Sequence, residues 1–325
     1  MKNQLFETPG TDPRQNLAIE EALLLSDPQC PTLFLWQNAH TVVIGRGQNA
    51  WKECRSQLLE DEGGTLVRRS TGGGAVYHDL GNLNFSFVMP KGLYDVPRQL
   101  NVIRGAVARF GIETEASGRN DIVLKDSGAK FSGNAFRLTQ ISALHHGTIL
   151  MDVDMGKLGR YLQPSKAKLD AKGVQSVRAR VGNLKELAPE ITIEKLKAAL
   201  FEAFREEYSP ADLLAWEEKL NGDVVQELTA KYRDWDWTYG KTPRFDITLE
   251  TRFPWGGVEL LLSLKNGIVQ EARCFTDAND PELGDRVSCA LTGSRFSQDG
   301  LGHRLRESDR DEDHELAEWL TKEQI

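Results

Sequence analysis

A chain of 325 residues, 40% hydrophobic and 27% charged, is large enough for a full core and, at the usual domain size, for two of them. A formal net charge of −8 argues against general nucleic-acid binding, and no apolar run approaches the roughly 20 residues that span a bilayer. Four cysteines (Cys30, Cys54, Cys274, Cys289) lack CxxC spacing, which argues against zinc and against a disulfide framework. The start, Met1-Lys2-Asn3-Gln4-Leu5, has no signal-peptide core, so a reducing cytoplasm is the expected compartment.

Taken in order, Asn16–Leu25 is rich in helix formers and stops at Asp27-Pro28. Leu33–Trp36 and Thr41–Gly45 are short apolar runs that suit paired strands. Trp51–Glu62 predicts a helix ending at Gly63-Gly64. Thr65–Val67 and Asn84–Val88 predict strands, and Arg98–Phe110 repeats apolar residues at helical spacing. Asp121–Lys125 and Ala129–Phe136 flank Asp126-Ser127-Gly128, a hairpin turn signal, and His146–Val153 predicts another strand. Ile193–Glu207 and Ala211–Asn221 predict helices with Thr192 and Ser209 as caps. Composition shifts after Trp235–Pro243. Phe245–Phe253, Val258–Leu264 and Ile268–Phe275 then predict strands, with Lys265-Asn266-Gly267 turning the chain. A domain boundary is expected near residue 240, giving domains 1–240 and 241–325.

Arg68-Arg69-Ser70-Thr71-Gly72-Gly73-Gly74-Ala75-Val76-Tyr77-His78-Asp79 carries the chemistry. Consecutive glycines let bare N–H groups line a turn as an anion-binding nest, and arginines beside it add fixed positive charge. The alternative is a glycine-rich hairpin loop with surface arginines. It is not a P-loop, because no lysine follows Gly74. Nor is it a dinucleotide fingerprint, because it joins strands instead of opening a helix. Lys130 in an alternating strand is either solvent-facing or, beside Gly133, an inward ammonium over a ligand. His145 and His146 could be acid, base or structural, with a structural role favoured. Lys157, Arg160, Lys166, Lys168, Lys172, Arg178 and Arg180 form a basic run, and the tail after Glu307 is acidic. Such runs steer a partner or simply face solvent.

Arg68–Asp79, Gly118–Asp121, Lys130–Ala135 and His145–Leu150 together resemble the lipoate–protein ligase A family, within the biotin/lipoate ligase superfamily. The resemblance extends to Asn16–Glu21, Thr41–Arg46, Ala171–Gly173, Ser176–Arg178 and Phe253–Glu259, in the family's order along nearly the whole chain. It implies an α+β fold: a mixed, largely antiparallel sheet with packed helices, plus a small α+β C-terminal accessory domain. It also implies ATP-dependent conversion of lipoate to lipoyl-AMP with release of pyrophosphate. Transfer to a lysine of apo lipoyl domains, in 2-oxoacid dehydrogenase complexes and the glycine-cleavage H protein, would follow. Under this reading Arg69 and the N–H groups of Gly74, Ala75, Val76 and Tyr77 hold nucleotide and phosphate. Lys130 bridges carboxyl and phosphate oxygens in both steps, Gly73, Lys130 and His146 bind lipoate, and Asp121 contacts magnesium. The basic run is the expected docking surface for an acidic carrier. Asn134, where relatives often carry serine, and the short Ser127–Ala129 turn depart from the family pattern.

Four other readings compete. A transferase working through a cysteine thioester needs a thiol among the motif blocks, and residues 68–150 contain none. A transferase using premade lipoyl-adenylate would keep Lys130, and a non-turnover acyl-binding module would bind without product. A biotin ligase would share fold and chemistry but write its glycine–arginine loop differently.

Overall fold

A computed structural model of the chain describes residues 2–118, 121–162, 181–239, 247–265 and 267–322. Arg119 and Asn120, the basic residues Lys166 to Arg180 with the motifs around Lys172 and Arg178, the 240–246 segment, and Asn266 of the expected turn lie outside the described residues.

The chain opens with β1 (Asn3–Glu7) and α1 (Pro13–Leu25). Asp12 caps this helix by accepting the Arg14 N–H at 3.0 Å, and Pro13 sits in the first turn, where no N–H is needed. Next come β2 (Thr32–Trp36), β3 (Thr41–Ile44), α2 (Ala50–Glu53), α3 (Ser56–Asp61), β4 (Thr65–Arg68), β5 (Val76–His78) and β6 (Asn82–Pro90). Asp95 caps α4 (Val96–Ala108), and β7 (Thr114–Ser117), β8 (Asp121–Leu124), β9 (Lys130–Leu138) and β10 (Ser142–Leu150) form a run of hairpins. α5 (Met155–Tyr161), α6 (Ile193–Tyr208, capped by Thr192), β11 (Ala211–Leu213), α7 (Gly222–Arg233) and α8 (Trp235–Thr238) follow.

Eight of these strands form one sheet in the order β11-β1-β2-β6-β10-β9-β8-β7, parallel at the β11-β1-β2 end and antiparallel beyond. Its strands alternate between two cores. Phe85, Phe87 and Phe131 face Val102, Ile103, Leu200 and Phe204 of α4 and α6. Phe34, Trp36, Val88 and Leu144 face Leu17 and Ile19 of α1 and Val225 and Tyr232 of α7, together with Val43 and Val67 of a second sheet, β4-β3-β5.

The remaining elements are the antiparallel sheet of β12 (Ile247–Phe253), β13 (Gly256–Lys265) and β14 (Ile268–Thr276), then α9 (Leu283–Leu291), α10 (Gln298–Gly302) and α11 (Asp311–Lys322). Leu260, Leu262, Val269, Val287, Leu316 and Leu320 form their core. Arg286 holds the nearly inaccessible Asp313 through two bonds of 2.9 and 3.0 Å, and Asp280 through a third of 2.8 Å. By their internal contacts, Gly45–Asn49 and Ser70–Gly74 group with Tyr239–Ile325 as one compact unit; the rest of the first 238 residues is the other. The α+β class with a mixed, largely antiparallel sheet, packed helices and a small C-terminal α+β portion is the one expected.

Two expected helices differ. Trp51–Glu62 breaks into α2 and α3 because Cys54 forms an isolated bridge with Leu162, and the Arg55 N–H bonds the Tyr161 carbonyl at 2.9 Å. Ala211–Asn221 is not a helix. Ser209 ends α6 at a φ of 71°, and Ala211–Leu213 then pairs in parallel with Asn3–Leu5, so a distant partner overrides local propensity. The acidic tail becomes the first turn of α11, where Asp311, Glu312 and Asp313 favour the helix dipole.

Candidate active site

Lys130 and Gly133 are three residues apart in one strand and would ordinarily point to opposite faces. A β-bulge corrects this. Ile122 pairs with Ser132 while Val123 pairs with Lys130, so Phe131 is the extra residue and the alternation slips by one. The Lys130 side chain therefore lies over Gly133, where a Cβ would come within 2.7 Å of its Nζ and 2.8 Å of its Cε. Asp121, opposite Gly133 in the register, pairs with the ammonium at 2.6 Å. The inward reading of Lys130 rests on the glycine and on the bulge together.

The same face carries Arg137, Ala135 and, on the neighbouring β10, His146 and Thr148. α1 covers it. Buried Glu20 accepts from Ser86 at 2.5 Å and meets His146 Nδ1 at 2.6 Å, while the Trp36 indole N–H donates to Ser86 Oγ at 2.9 Å. Burial alone would raise the next carboxyl, Glu21; bonds from Lys231 (2.7 Å), Tyr232 (2.8 Å) and Arg137 (3.0 Å) outweigh it and hold Glu21 below its ordinary value. Sequence reasoning missed Glu20. It read as one more helix former, and its partners lie 66 and 126 positions away.

His145 faces the opposite side of the sheet from His146. It points into the α4/α6 core between Gln99 Oε1 (2.7 Å from Nδ1) and Asn134 Oδ1 (2.8 Å from Nε2), and burial, with the neighbouring His146, pushes it down to about 3. A neutral ring has one N–H, so one of these amides must turn its NH2 toward it. Asn134, the departure from the family's serine, thus has a defined task behind the site. It also narrows Gly147, whose Cβ would fall 2.8 Å from Asn134 Oδ1.

The glycine loop divides its work. Arg69, 6% exposed, donates to the Val43 carbonyl at 3.3 Å and feels the Glu20 carboxylate; burial pushes its guanidinium down to about 10, so it stays charged at neutral pH. His78 is held neutral, pushed down to about 3 by burial and then by Arg69. Its Nδ1 meets Asn38 Nδ2 at 3.2 Å, and Asn38 accepts from Asn16. Its Nε2, like Asn84 Nδ2 and Asn82 Oδ1, is buried without a hydrogen-bond partner among the described residues, and such atoms ask for a polar ligand or water. Val76 and Tyr77 lie in β5, an edge strand of the small sheet. Gly73 takes a φ of 89°, and its N–H is committed to the Ala278 carbonyl at 2.8 Å. Gly72 is excluded from carrying a side chain by the Ala278 and Asn279 carbonyls, 2.5 and 2.6 Å from its would-be Cβ.

Asp121, expected as a magnesium contact, is here the ion-pair partner of Lys130. Among the described residues no cluster of three or more His, Cys, Asp or Glu side chains could hold a metal. The four cysteines are free, and among the described residues no helix is long and apolar enough to cross a membrane.

Within one compact unit, an ammonium laid on bare backbone and a buried arginine provide two fixed positive charges, which suit carboxylate or phosphate oxygens. Residues 12–205 match the lipoyl protein ligase A/B catalytic domain, and residues 242–322 match the bacterial lipoate protein ligase C-terminus. The chain is 40% identical to the lipoate-protein ligase A of Psychrobacter cryohalolentis, over 99% of both proteins. Among solved structures it is similar to P. falciparum LipL1 in complex with lipoate (29% identity, TM-score 0.86, 99% of this chain and 100% of that one). It is also similar to a bi-partite lipoate protein ligase from Thermoplasma acidophilum, described with its E2 lipoyl domain (29%, 0.65, 76% and 100%). A lipoate-protein ligase A bound with ATP is a further neighbour (27%, 0.62, 74% and 99%). The chain belongs to the lipoate–protein ligase family and is an enzyme of that class.

Proposed function

We propose that this ligase carries out both halves of the reaction. In the first, a carboxylate oxygen of lipoate bonds to the α-phosphorus of ATP as the bond to the β-phosphate breaks, giving lipoyl-AMP and pyrophosphate. In the second, the ε-amine of a carrier lysine attacks the acyl carbon, the C–O bond to phosphate breaks, AMP leaves and the amine gives up a proton. Both transition states gather negative charge, and preorganised donors aimed at such charge are commonly the largest catalytic contribution.

Lys130 would serve in both steps, bridging carboxyl and phosphate oxygens and exchanging the Asp121 carboxylate for them. The observation that carries this reading is its ammonium laid over the bare backbone of Gly133. Arg69 and the N–H groups of Gly74, Ala75, Val76 and Tyr77 would hold phosphate and nucleotide. Gly73, its N–H already used, would contribute closeness of approach beside lipoate, and His146 would be held for that substrate by Glu20. Magnesium arriving with ATP would neutralise phosphate charge. Residues 1–240 would be the catalytic domain and 241–325 the accessory one. The carriers would be apo lipoyl domains of 2-oxoacid dehydrogenase complexes and the glycine-cleavage H protein, in the cytoplasm.

The test is a mass spectrum of apo lipoyl domain after incubation with the enzyme, lipoate, ATP and magnesium, beside a tube given premade lipoyl-adenylate. Modification in both tubes is expected. Modification only with the premade adenylate would reduce the enzyme to a transferase, and silence in both would end the reading.

A further inference from the structure

The first arginine of the loop does not share the second one's surroundings. Arg68, 8% exposed, spends its guanidinium on backbone carbonyls at the far end of the same compact unit. Nε donates to the Trp237 and Thr238 carbonyls at 3.0 and 3.1 Å, and Nη2 to Thr238 at 2.7 Å. The Trp237 indole N–H returns a bond to the Arg68 carbonyl at 2.9 Å. Lys231, paired with Glu21, sits 4.1 Å over the Trp237 ring. The clamp is reciprocal and charge-assisted, with Arg68 and Thr238 buried and Trp237 half-buried, and so stronger than a surface contact.

Its location gives it a purpose. The chain leaves this unit after Ile44, after Arg69 and after Thr238. Ile44 pairs with Arg68 in the β3–β4 register, the Arg69 N–H bonds the Ile44 carbonyl at 3.0 Å, and Arg68 binds Thr238. All three departure points are thereby fastened at one spot, one residue before Arg69 and two before the glycine loop.

We propose that the Arg68–Trp237 clamp positions the glycine loop for ATP, making Arg68 and Trp237 positioning residues for adenylate formation. The proposal rests on the reaction proposed above. It predicts an uneven loss. ATP must order the loop without an attached acyl chain, whereas premade lipoyl-adenylate brings its acyl chain as a second anchor, so its binding depends less on a preset loop.

The experiment compares wild type, Arg68→Lys and Trp237→Phe in two assays, ATP-dependent pyrophosphate release and carrier acylation from premade lipoyl-adenylate, with melting temperature as a check on folding. Arg68→Lys keeps the charge but loses the fork. It is expected to lower kcat/KM for ATP by about tenfold while changing transfer by less than about threefold, with Trp237→Phe acting in the same direction. Equal losses in both assays at an unchanged melting temperature would overturn the proposal. A second readout needs no turnover. The indole 1H–15N resonance missing from Trp237→Phe should shift when ATP is added to wild type, and should not shift in Arg68→Lys. An unmoved resonance would overturn the clamp's role even if the carrier is modified. If wild type modifies no carrier in either tube, the proposed reaction fails, and the indole titration still decides the clamp.

Discussion

The ammonium of Lys130 occupies the space that a side chain on Gly133 would fill, 2.7 Å from the would-be Cβ. The two residues are one functional element, since the glycine is the floor on which the cation rests. Gly133→Ala should therefore leave the fold almost intact, because the obstructing atom is the end of a flexible side chain, while displacing the ammonium. Ligation should fall by about 100-fold, as expected when a reacting group is misplaced by about an ångström, with the melting temperature within a few degrees of wild type. Gly147→Ala is the contrast: its Cβ would meet the Gly133 carbonyl and the Phe85 ring at 2.6 Å each, so stability should fall. Full activity in Gly133→Ala would refute the placement of Lys130.

Asp121→Asn removes the partner of that ammonium. The pair is about one-third exposed on both sides, so its loss should cost under about 1 kcal/mol of stability. Lys130→Met should abolish ligation with folding preserved. Denaturant midpoints and initial rates measured together check both; a large destabilisation in Asp121→Asn would show the pair to be structural.

Acid should unfold this protein early. His78 and His145 are held at about 3 by burial, below the ordinary value of about 6.5. The unfolded chain therefore binds their protons first. Their contribution is fully present above about pH 6.5 and falls away as pH drops toward 3, by up to about 1.4 kcal/mol per pH unit for each ring. Urea titrations from pH 7.5 to 4.5 should show this slope beginning above the carboxylate range. His145→Gln should remove one ring's share; an unchanged slope would mean that the ring is protonated in the fold.

Gly72→Ala tests the loop's other duty. Carbonyls 2.5 and 2.6 Å from the would-be Cβ are backbone and cannot swing aside. Stability of the unit that holds Gly72 and Ala278 should drop by about 2 kcal/mol or more, seen as a lowered calorimetric transition. An unmoved transition would show that Ala278 and the loop are not packed as described.

Buried Asp313 is answered by the Arg286 fork. Arg286→Met, which takes both guanidinium bonds from the buried Asp313 carboxylate, should cost about 3–5 kcal/mol. A cost near zero would mean that the fork is solvated.

Much of this was legible locally. The strands around the glycine loop, the Asp126–Gly128 turn and the Thr192 cap follow from alternation, turn chemistry and capping, all of which act within a few residues. What escaped depends on distant partners. The bulge at Phe131 arises from pairing with Ile122 and Val123, and nothing in Lys130–Ala135 announces it. Ala211–Leu213 became a strand because β1 was there to pair with it. Glu20 became a buried acid because Ser86 and His146 reach it from two other strands. Arg68 and Arg69 look interchangeable in sequence, yet Arg68 binds the carbonyls of Trp237 and Thr238 while Arg69 binds that of Val43.

β1 lies between β2 and β11, and Lys2 is paired with Asp212, 210 positions along the chain. During synthesis at about 5–20 residues per second, one side of β1 must wait on the order of 10–40 s for its neighbour to emerge. Until then it is an open strand edge on a nascent chain, the kind of surface that invites wrong pairing. The short strand Ala211–Leu213 thus finishes the sheet's border late, and weakening it would be felt first as poor yield from cells, before any loss of activity in the folded enzyme.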